Sequence, residues 1–191
     1  MVPFYDRTKL IENTIGTVYT ALSQEIIITV LIILLFLLHF QSSILVSLTL
    51  PFGVGISFIL MKLLKIDANI MSLSGLVIAI GSMVDMGIIM TENIYAHLAN
   101  NPLAKSKERV EIIVKSAREV GPAILTAVLT TIVTFVPVFG LEGAEGKLFV
   151  PLAWAKTLAM FGSVLVAIIL IPALSVFILH GNLRPIEKNK V

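Results

Sequence analysis

Five long apolar stretches constrain the fold of this chain more than any other feature. They run over Ile26–Phe40, Ile44–Leu64, Leu73–Tyr95, Pro122–Phe139 and Phe149–Leu179. A helix of about 20 apolar residues crosses a bilayer, so the first stretch needs an extra turn from the segment before it. Inside lipid the backbone must satisfy its own polar groups, which favours helices. The sequence therefore predicts an all-α, polytopic membrane helix bundle with five transmembrane helices.

The composition agrees with a membrane location. Hydrophobic residues make up 57% of the 191 residues and charged residues 14%, whereas charged residues are about 25% of soluble domains. The net charge of +2 is small and scattered, so it does not favour nucleic acid as a partner. Membrane lipid is the expected surrounding.

Amphipathic segments accompany the spans. Apolar residues recur at helical spacing in Tyr5–Glu25, which predicts a lead-in helix. The segment Lys105–Val120 carries Val110, Ile113 and Val114 on one stripe, which predicts a helix lying on the membrane interface. The predicted order is a periplasmic lead-in helix (1–25), transmembrane helices one and two (26–64), transmembrane helix three (65–97), a cytoplasmic amphipathic helix (98–120), transmembrane helices four and five (121–180) and a cytoplasmic tail (181–191).

The loop charges predict the orientation. Eight Lys and Arg residues fall on the side that holds the HFQSS turn (39–43), the segment 96–120 and the tail after Leu179, and five fall on the other side. Positive residues favour the cytoplasmic side. This predicts a periplasmic N-terminus and a cytoplasmic C-terminus.

Asp85 lies near the middle of the third apolar stretch, where an ionisable group is costly. The insertion cost is at least about 2.5–3.5 kcal/mol, and such groups usually serve ion or proton movement. Glu92 follows two helical turns later on the same face. The two carboxylates favour a proton path, and the alternative is a protonated Asp85 that only bonds a neighbouring helix.

The third stretch also contains small residues and methionines. Gly75, Ala79 and Gly81 allow close helix contact. Six of the seven methionines lie in or beside the spans: Met61, Met71, Met83, Met86, Met90 and Met160. A thioether is a soft ligand that suits Cu(I) and Ag(I), although methionine also fills gaps in apolar packing.

Lys156 is the one basic residue inside a span. It is an accessory candidate for the proton path, or it extends to the membrane interface. Pro172 predicts a kink in the last span.

Several function classes find no support in the sequence. The chain has no Cys, which excludes thiolate metal sites and cysteine nucleophiles. It has no His-Glu-x-x-His, no Gly-x-Ser-x-Gly and no Gly-Lys-Ser or Gly-Lys-Thr phosphate loop. An intramembrane protease would need a second aspartate in a Gly-x-Gly-Asp setting, which is also missing. A hydrolase or ATPase is therefore not expected.

A family resemblance comes from motifs in order along the chain. The run ANIMSLSGLVIAIGSMVDMGIIMTENIY (68–95) resembles the fourth transmembrane helix of resistance-nodulation-division (RND) efflux pumps, and most of all the heavy-metal, copper/silver branch. YDRTKLIENTI (5–15), LPFGVGISFILM (50–61), EVGPAI (119–124) and LEGAEGKLFVPLAWAKTLAM (141–160) resemble flanking segments of the same pumps. The chain would then supply helices two to six of the first half of a longer permease.

The resemblance implies roles for particular residues. It implies that Asp85 is the proton-relay carboxylate, that Glu92 is an accessory acid, and that Met71, Met83, Met90 and Met160 are metal-relay ligands. Ala79 stands where some divalent-metal members carry an acid, which argues against the zinc, cobalt and nickel type.

The resemblance also implies a setting. The cargo would be Cu(I) or Ag(I), exported by proton antiport with no resident cofactor. The setting would be a homotrimer in a bacterial inner membrane, with the rest of the permease, a periplasmic adaptor and an outer-membrane channel as partners. A pump for drugs or other solutes, or a non-transporting membrane scaffold, is the alternative.

Overall fold

The computed structural model describes residues 40–179 and, before them, residues 12–13, 15–17, 19–21, 23–24, 27–28 and 31. Four helices in this part are long and apolar enough to cross a membrane, and the part contains no strand. The prediction of an all-α membrane helix bundle is confirmed. The first predicted span, the lead-in helix and the tail after Leu179 lie largely outside the described residues.

The described helices follow one another through short connections. They are α1 (Phe40–Leu63), α2 (Ile70–Ala99), α3 (Ser106–Phe135), α4 (Gly143–Leu165) and α5 (Ile171–Ile178). A 3₁₀ turn (Val136–Gly140) follows α3, and a π-helical turn (Val166–Leu170) joins α4 to α5. The segment Gly143–Ile178 thus forms one apolar span of 36 residues.

The predicted HFQSS turn is wrong over its described part, because α1 begins at Phe40 and includes Gln41, Ser42 and Ser43. Serine is compatible with a membrane helix when its hydroxyl bonds a carbonyl of the preceding turn. Ser47 Oγ donates such a bond to the Ser43 carbonyl at 2.8 Å. Ser42 and Ser43 are themselves buried, so this end of α1 packs inside the bundle.

The predicted boundary at Gly121-Pro122 is also wrong, because α3 continues through it. One helix of 30 residues contains both the predicted interfacial segment and the predicted fourth span. A proline removes a single helix hydrogen bond, and membrane helices tolerate it where neighbours support the backbone. Ile113, Ser116, Ile124 and Val128 are buried on both sides of Pro122, so packing carries the helix through.

Pro172 falls where the last span changes its helical geometry. The π-helical turn Val166–Leu170 lies directly before the proline, which stands in the first turn of α5. Pro172 has no N–H to donate to the Ile168 carbonyl, and a π-turn is one way in which a helix absorbs such a lost bond. The sequence predicted an irregularity here, and the structure places it one turn earlier.

The start of α2, the helix that carries Asp85, is held by a capping box. Ser72 N donates to Asn69 Oδ1 at 2.9 Å, and Asn69 N donates to Ser72 Oγ at 2.8 Å. These bonds satisfy amides that the first helical turn leaves free. The cap determines where α2 begins, 15 residues before Asp85.

The core lies around α2, which packs against α1, α3 and α4. At Gly75 an added Cβ would collide with the Leu152 carbonyl of α4, whereas at Gly81 it would meet open space. Ala79 is fully buried. The prediction of close packing therefore holds for Gly75 and Ala79, and it is wrong for Gly81.

The Gly75 contact predicts a stability difference. We expect Gly75→Ala to destabilise the purified protein in detergent by about 1–3 kcal/mol, the usual cost of overpacking. The backbone of Leu152 must shift, because it is not a flexible side chain. Thermal unfolding followed by circular dichroism measures the effect.

Gly81→Ala is the matched control in the same helix. Alanine favours a helix over glycine by about 1 kcal/mol, and Gly81 has no neighbour within 4 Å to resist it. Equal melting temperatures for the two variants would show that the contact between α2 and α4 is looser than the structure indicates.

Candidate proton and metal site

A cleft opens beside Asp85 between α2, α3 and α4. Its volume is about 460 Å³, room for several water molecules at about 30 Å³ each. Most of its wall is apolar. The lining residues are Ser82, Asp85, Met86, Ile89, Ala123, Ile124, Ala127, Val128, Thr131 and Met160.

Asp85 is the one ionisable residue in the wall of this cleft. Its side chain is exposed, and among the described residues it has neither a hydrogen bond nor an ion-pair partner. The sequence predicted an acid within the bundle, and the structure places it on the open side of a cleft. The alternative in which Asp85 holds a neighbouring helix by a hydrogen bond therefore gains no support from the described helices.

Two methionine thioethers line the cleft together with the Asp85 carboxylate. Met86 and Met160 both line it and are almost fully buried. Ser163 Oγ donates to the Met160 carbonyl at 2.7 Å and lies 3.3 Å from Met86 Sδ, so this sulfur lies at the contact between α2 and α4. The cleft thus combines one hard oxygen donor with two soft sulfur donors.

The other predicted methionine ligands are dispersed. Met83 and Met90 are fully buried, with Met83 against Gly53 of α1 and Met90 in the same apolar cluster as Met160. Met71 is half-buried in the first turn of α2, outside the cleft. The structure brings Met160 to Asp85 and leaves Met71 and Met83 elsewhere in the bundle.

Met86 is the residue whose position the sequence analysis missed. It directly follows Asp85, and an adjacent residue is turned by about 100° around a helix, so its spacing alone did not place it on the same side. The cleft is wide enough to include both.

Glu92 and Lys156 do not reach the cleft. Glu92 is exposed on α2, without a hydrogen-bond partner in the part of the chain that the structure describes. Lys156 Nζ lies 4.3 Å from the centroid of the Phe135 ring, a cation–π contact. The structure therefore favours a packing role for Lys156 over a direct partnership with Asp85.

The side chains that could act as metal ligands indicate which metals the described residues could bind. The described residues bring no three His, Cys, Asp or Glu side chains together in a metal-binding group. Carboxylates and imidazoles in such groups suit divalent metals, whereas thioethers suit Cu(I). The candidate metal ligands of this part of the chain are its methionines.

The family profile of the AcrB/AcrD/AcrF proteins matches residues 1–190. The chain belongs to this family. The match extends over nearly the whole sequence, so the chain is a segment of an RND permease. The resemblance to heavy-metal RND permeases is confirmed by the relatives that follow.

Three relatives of the chain have names that refer to cations or to metals. The cation efflux system protein CusA of Escherichia coli (strain K12) is 39% identical over 99% of this chain. The putative cation efflux system protein SilA of Salmonella typhimurium is 38% identical over 96% of it. The cobalt-zinc-cadmium resistance protein CzcA of Cupriavidus metallidurans is 30% identical over 91%. These alignments cover 19%, 18% and 17% of the relatives, so the chain spans under a fifth of their length.

A solved structure of the same family superposes on the chain. It is an X-ray crystal structure of a heavy metal efflux pump, with a TM-score of 0.72 and 34% identity. The superposition covers 91% of this chain and 17% of the solved one. The chain is thus a membrane-embedded segment of the heavy-metal RND type.

Proposed function

We propose that this segment carries the proton path and part of the metal path of a proton-driven efflux pump that exports Cu(I) or Ag(I). Asp85 gains and loses the proton. Protons move inward while the metal ion, which is the substrate, moves outward. The N-terminus faces the periplasm and the C-terminus faces the cytoplasm of a bacterial inner membrane, as the loop charges indicate.

The observation that carries this proposal is the placement of Asp85 in an open cleft between membrane helices. A carboxylate at such depth is costly and is usually retained for function. Its cleft admits water, and within the described helices no neighbouring group holds it in one state. A proton carrier needs both properties, whereas a scaffold residue needs neither.

The methionines support the choice of cargo. Met83, Met90 and Met160 are buried near the contact of α2 with α1 and α4, and Met86 and Met160 border the Asp85 cleft. Soft thioethers bind Cu(I) weakly enough to pass it on. We include Met71, Met83, Met90 and Met160 as relay ligands and add Met86 on the basis of its position. Glu92 is the accessory acid near the cytoplasmic end of α2.

The proposed assembly follows from the family. A complete permease would work as a homotrimer with a periplasmic adaptor and an outer-membrane channel. The proton path would be completed by helices that this chain does not contain, and these would face the open side of the Asp85 cleft.

A growth assay tests the cargo. A full-length permease that carries this segment is expressed with its partners in a bacterium that lacks its own metal pumps. We expect it to raise the tolerated silver and copper concentrations several-fold and to leave tolerance to organic dyes unchanged. Resistance to dyes without resistance to silver would instead favour a pump for organic solutes.

A further inference from the structure

Beyond the residues that line the Asp85 cleft, two polar contacts join α2 and α3. On α2, successive four-residue steps lead from Asp85 through Ile89 and Asn93 to His97. On α3, similar steps lead from Thr131 through Ala127 and Ala123 to Glu119. Residues four apart in a helix lie one turn above each other, so both helix faces continue beyond the cleft wall.

Groups on these faces of α2 and α3 lie within hydrogen-bonding distance of each other. Asn93 Nδ2 donates to the Ser116 carbonyl at 3.0 Å, and His97 Nε2 lies 3.2 Å from Glu119 Oε2. The His97 side chain is 35% exposed and that of Glu119 is 59% exposed. The pair therefore stands between the end of the cleft and the water at the membrane surface that we propose is cytoplasmic.

Both nitrogens of the His97 imidazole ring face an oxygen atom. His97 Nδ1 lies 3.0 Å from the Asn93 carbonyl oxygen, which can only accept, while Nε2 faces the Glu119 carboxylate. A neutral imidazole has one N–H and can donate to one of these oxygens. Both contacts are hydrogen bonds when the ring carries two protons, or when it carries one and Glu119 carries the other. The pair therefore has two oxygens facing the ring and room for one proton more than a neutral imidazole beside a free carboxylate.

Other charged groups near the pair come from few elements. On α3, Lys115 and Arg118 are exposed neighbours of Glu119, and Arg109 Nη2 donates to the Leu179 carbonyl at 2.8 Å. On α2 the nearest carboxylate is Glu92. The described parts of α1 and α5 that lie at this end, 40–50 and 171–178, carry no charged side chain. Glu119 is the direct anionic partner of His97. The other charged side chains of the described residues at this end of α2 and α3 are Lys105, Lys107, Arg109, Lys115 and Arg118 together with Glu92, Glu108 and Glu111.

We propose that His97 and Glu119 form the inner proton-exchange site of the Asp85 cleft, an inference that rests on the proposed function. A proton that leaves Asp85 crosses the cleft and then passes the Asn93–Ser116 contact, since His97 lies about 18 Å further along α2 at about 1.5 Å per residue. It is taken up at the pair and passes from there to the cytoplasm. The pH on the inner side therefore controls how readily the pair unloads.

The test uses the full-length permease in liposomes, with a pH-sensitive dye in the compartment at its cytoplasmic face. Ag⁺ and a fixed pH are supplied on the other face, and the inner pH is varied from about 5.5 to 8. His97→Gln keeps an N–H that can donate to Glu119 but cannot titrate. We expect it to slow proton release and Ag⁺ transport about ten-fold or more, and to remove the dependence on inner pH.

Glu119→Gln is the second variant, and it is expected to give the same loss. Glu111→Gln is the control. It removes an exposed carboxylate about two turns before Glu119 in α3, and it should retain the wild-type profile. Elution as a trimer in size-exclusion chromatography shows that each protein is folded. If His97→Gln fails to fold, the result for Glu119→Gln decides whether the inference holds.

The outcomes separate this inference from the proposed function. Loss of transport in Asp85→Asn together with a wild-type inner-pH profile in His97→Gln overturns the inference alone and leaves the pair as a tie between helices. Full transport in Asp85→Asn overturns the proposed function, and the inference falls with it.

Discussion

Replacing Asp85 with Asn in the full-length permease is expected to reduce silver and copper export to the level of cells without the pump. Asparagine has nearly the same size, so the cleft keeps its shape, but an amide cannot take up and release a proton. Each transport cycle needs that step if proton flow drives export. Resistance on plates and Ag⁺ flux in liposomes both measure the effect.

Two further substitutions make this result interpretable. Asp67→Asn is the same change in the exposed connection between α1 and α2, and it should leave export unchanged. Asp85→Glu keeps a titratable group and should retain part of the activity. Wild-type resistance in Asp85→Asn, with equal amounts of protein in the membrane, would remove the proton role from this residue.

The helices of this chain were predictable, but two of their boundaries were not. Apolar length alone located α1, α2 and the two later spans, because lipid permits few other structures. Glycine, proline and serine then suggested breaks at 39–43 and at Gly121-Pro122, and both positions are helical where described. Burial of Ser42, Ser43, Ser116 and Ile124 in the bundle outweighs the local preference.

The candidate site was predictable in its acid and less so in its surroundings. A carboxylate in a membrane span stands out in any sequence. Asp85 was therefore identified from the free-energy cost of placing an ionisable group in lipid. The wall of its cleft depends on how α2, α3 and α4 are rotated against each other, which a single sequence does not specify. For that reason Met86 was passed over, Lys156 was considered as a partner although it lies on Phe135, and the pairing of His97 with Glu119 was not foreseen.

Replacing buried methionines with leucine is expected to give the second large effect. Leucine conserves the volume of methionine and usually costs less than about 1.5 kcal/mol in a core, but it has no sulfur. We expect the double variant Met83→Leu/Met90→Leu to lower Cu(I) and Ag(I) export about ten-fold or more, and Met160→Leu to act in the same direction. Metal flux in liposomes and the number of Ag⁺ ions bound per protein measure both steps.

Met61→Leu is the matched control for these variants. Met61 is as buried as Met160, but it packs in α1 away from the Asp85 cleft, so its replacement should leave export and silver binding unchanged. Met86→Leu tests the position that the structure added, because it removes a sulfur from the cleft wall while Asp85 stays in place. If export by the Met83, Met90 and Met160 variants equals that of Met61→Leu, these side chains only fill space. A pump of the same fold with an organic cargo would then be the better description, since Asp85 serves either cargo and only the sulfurs select a soft metal ion.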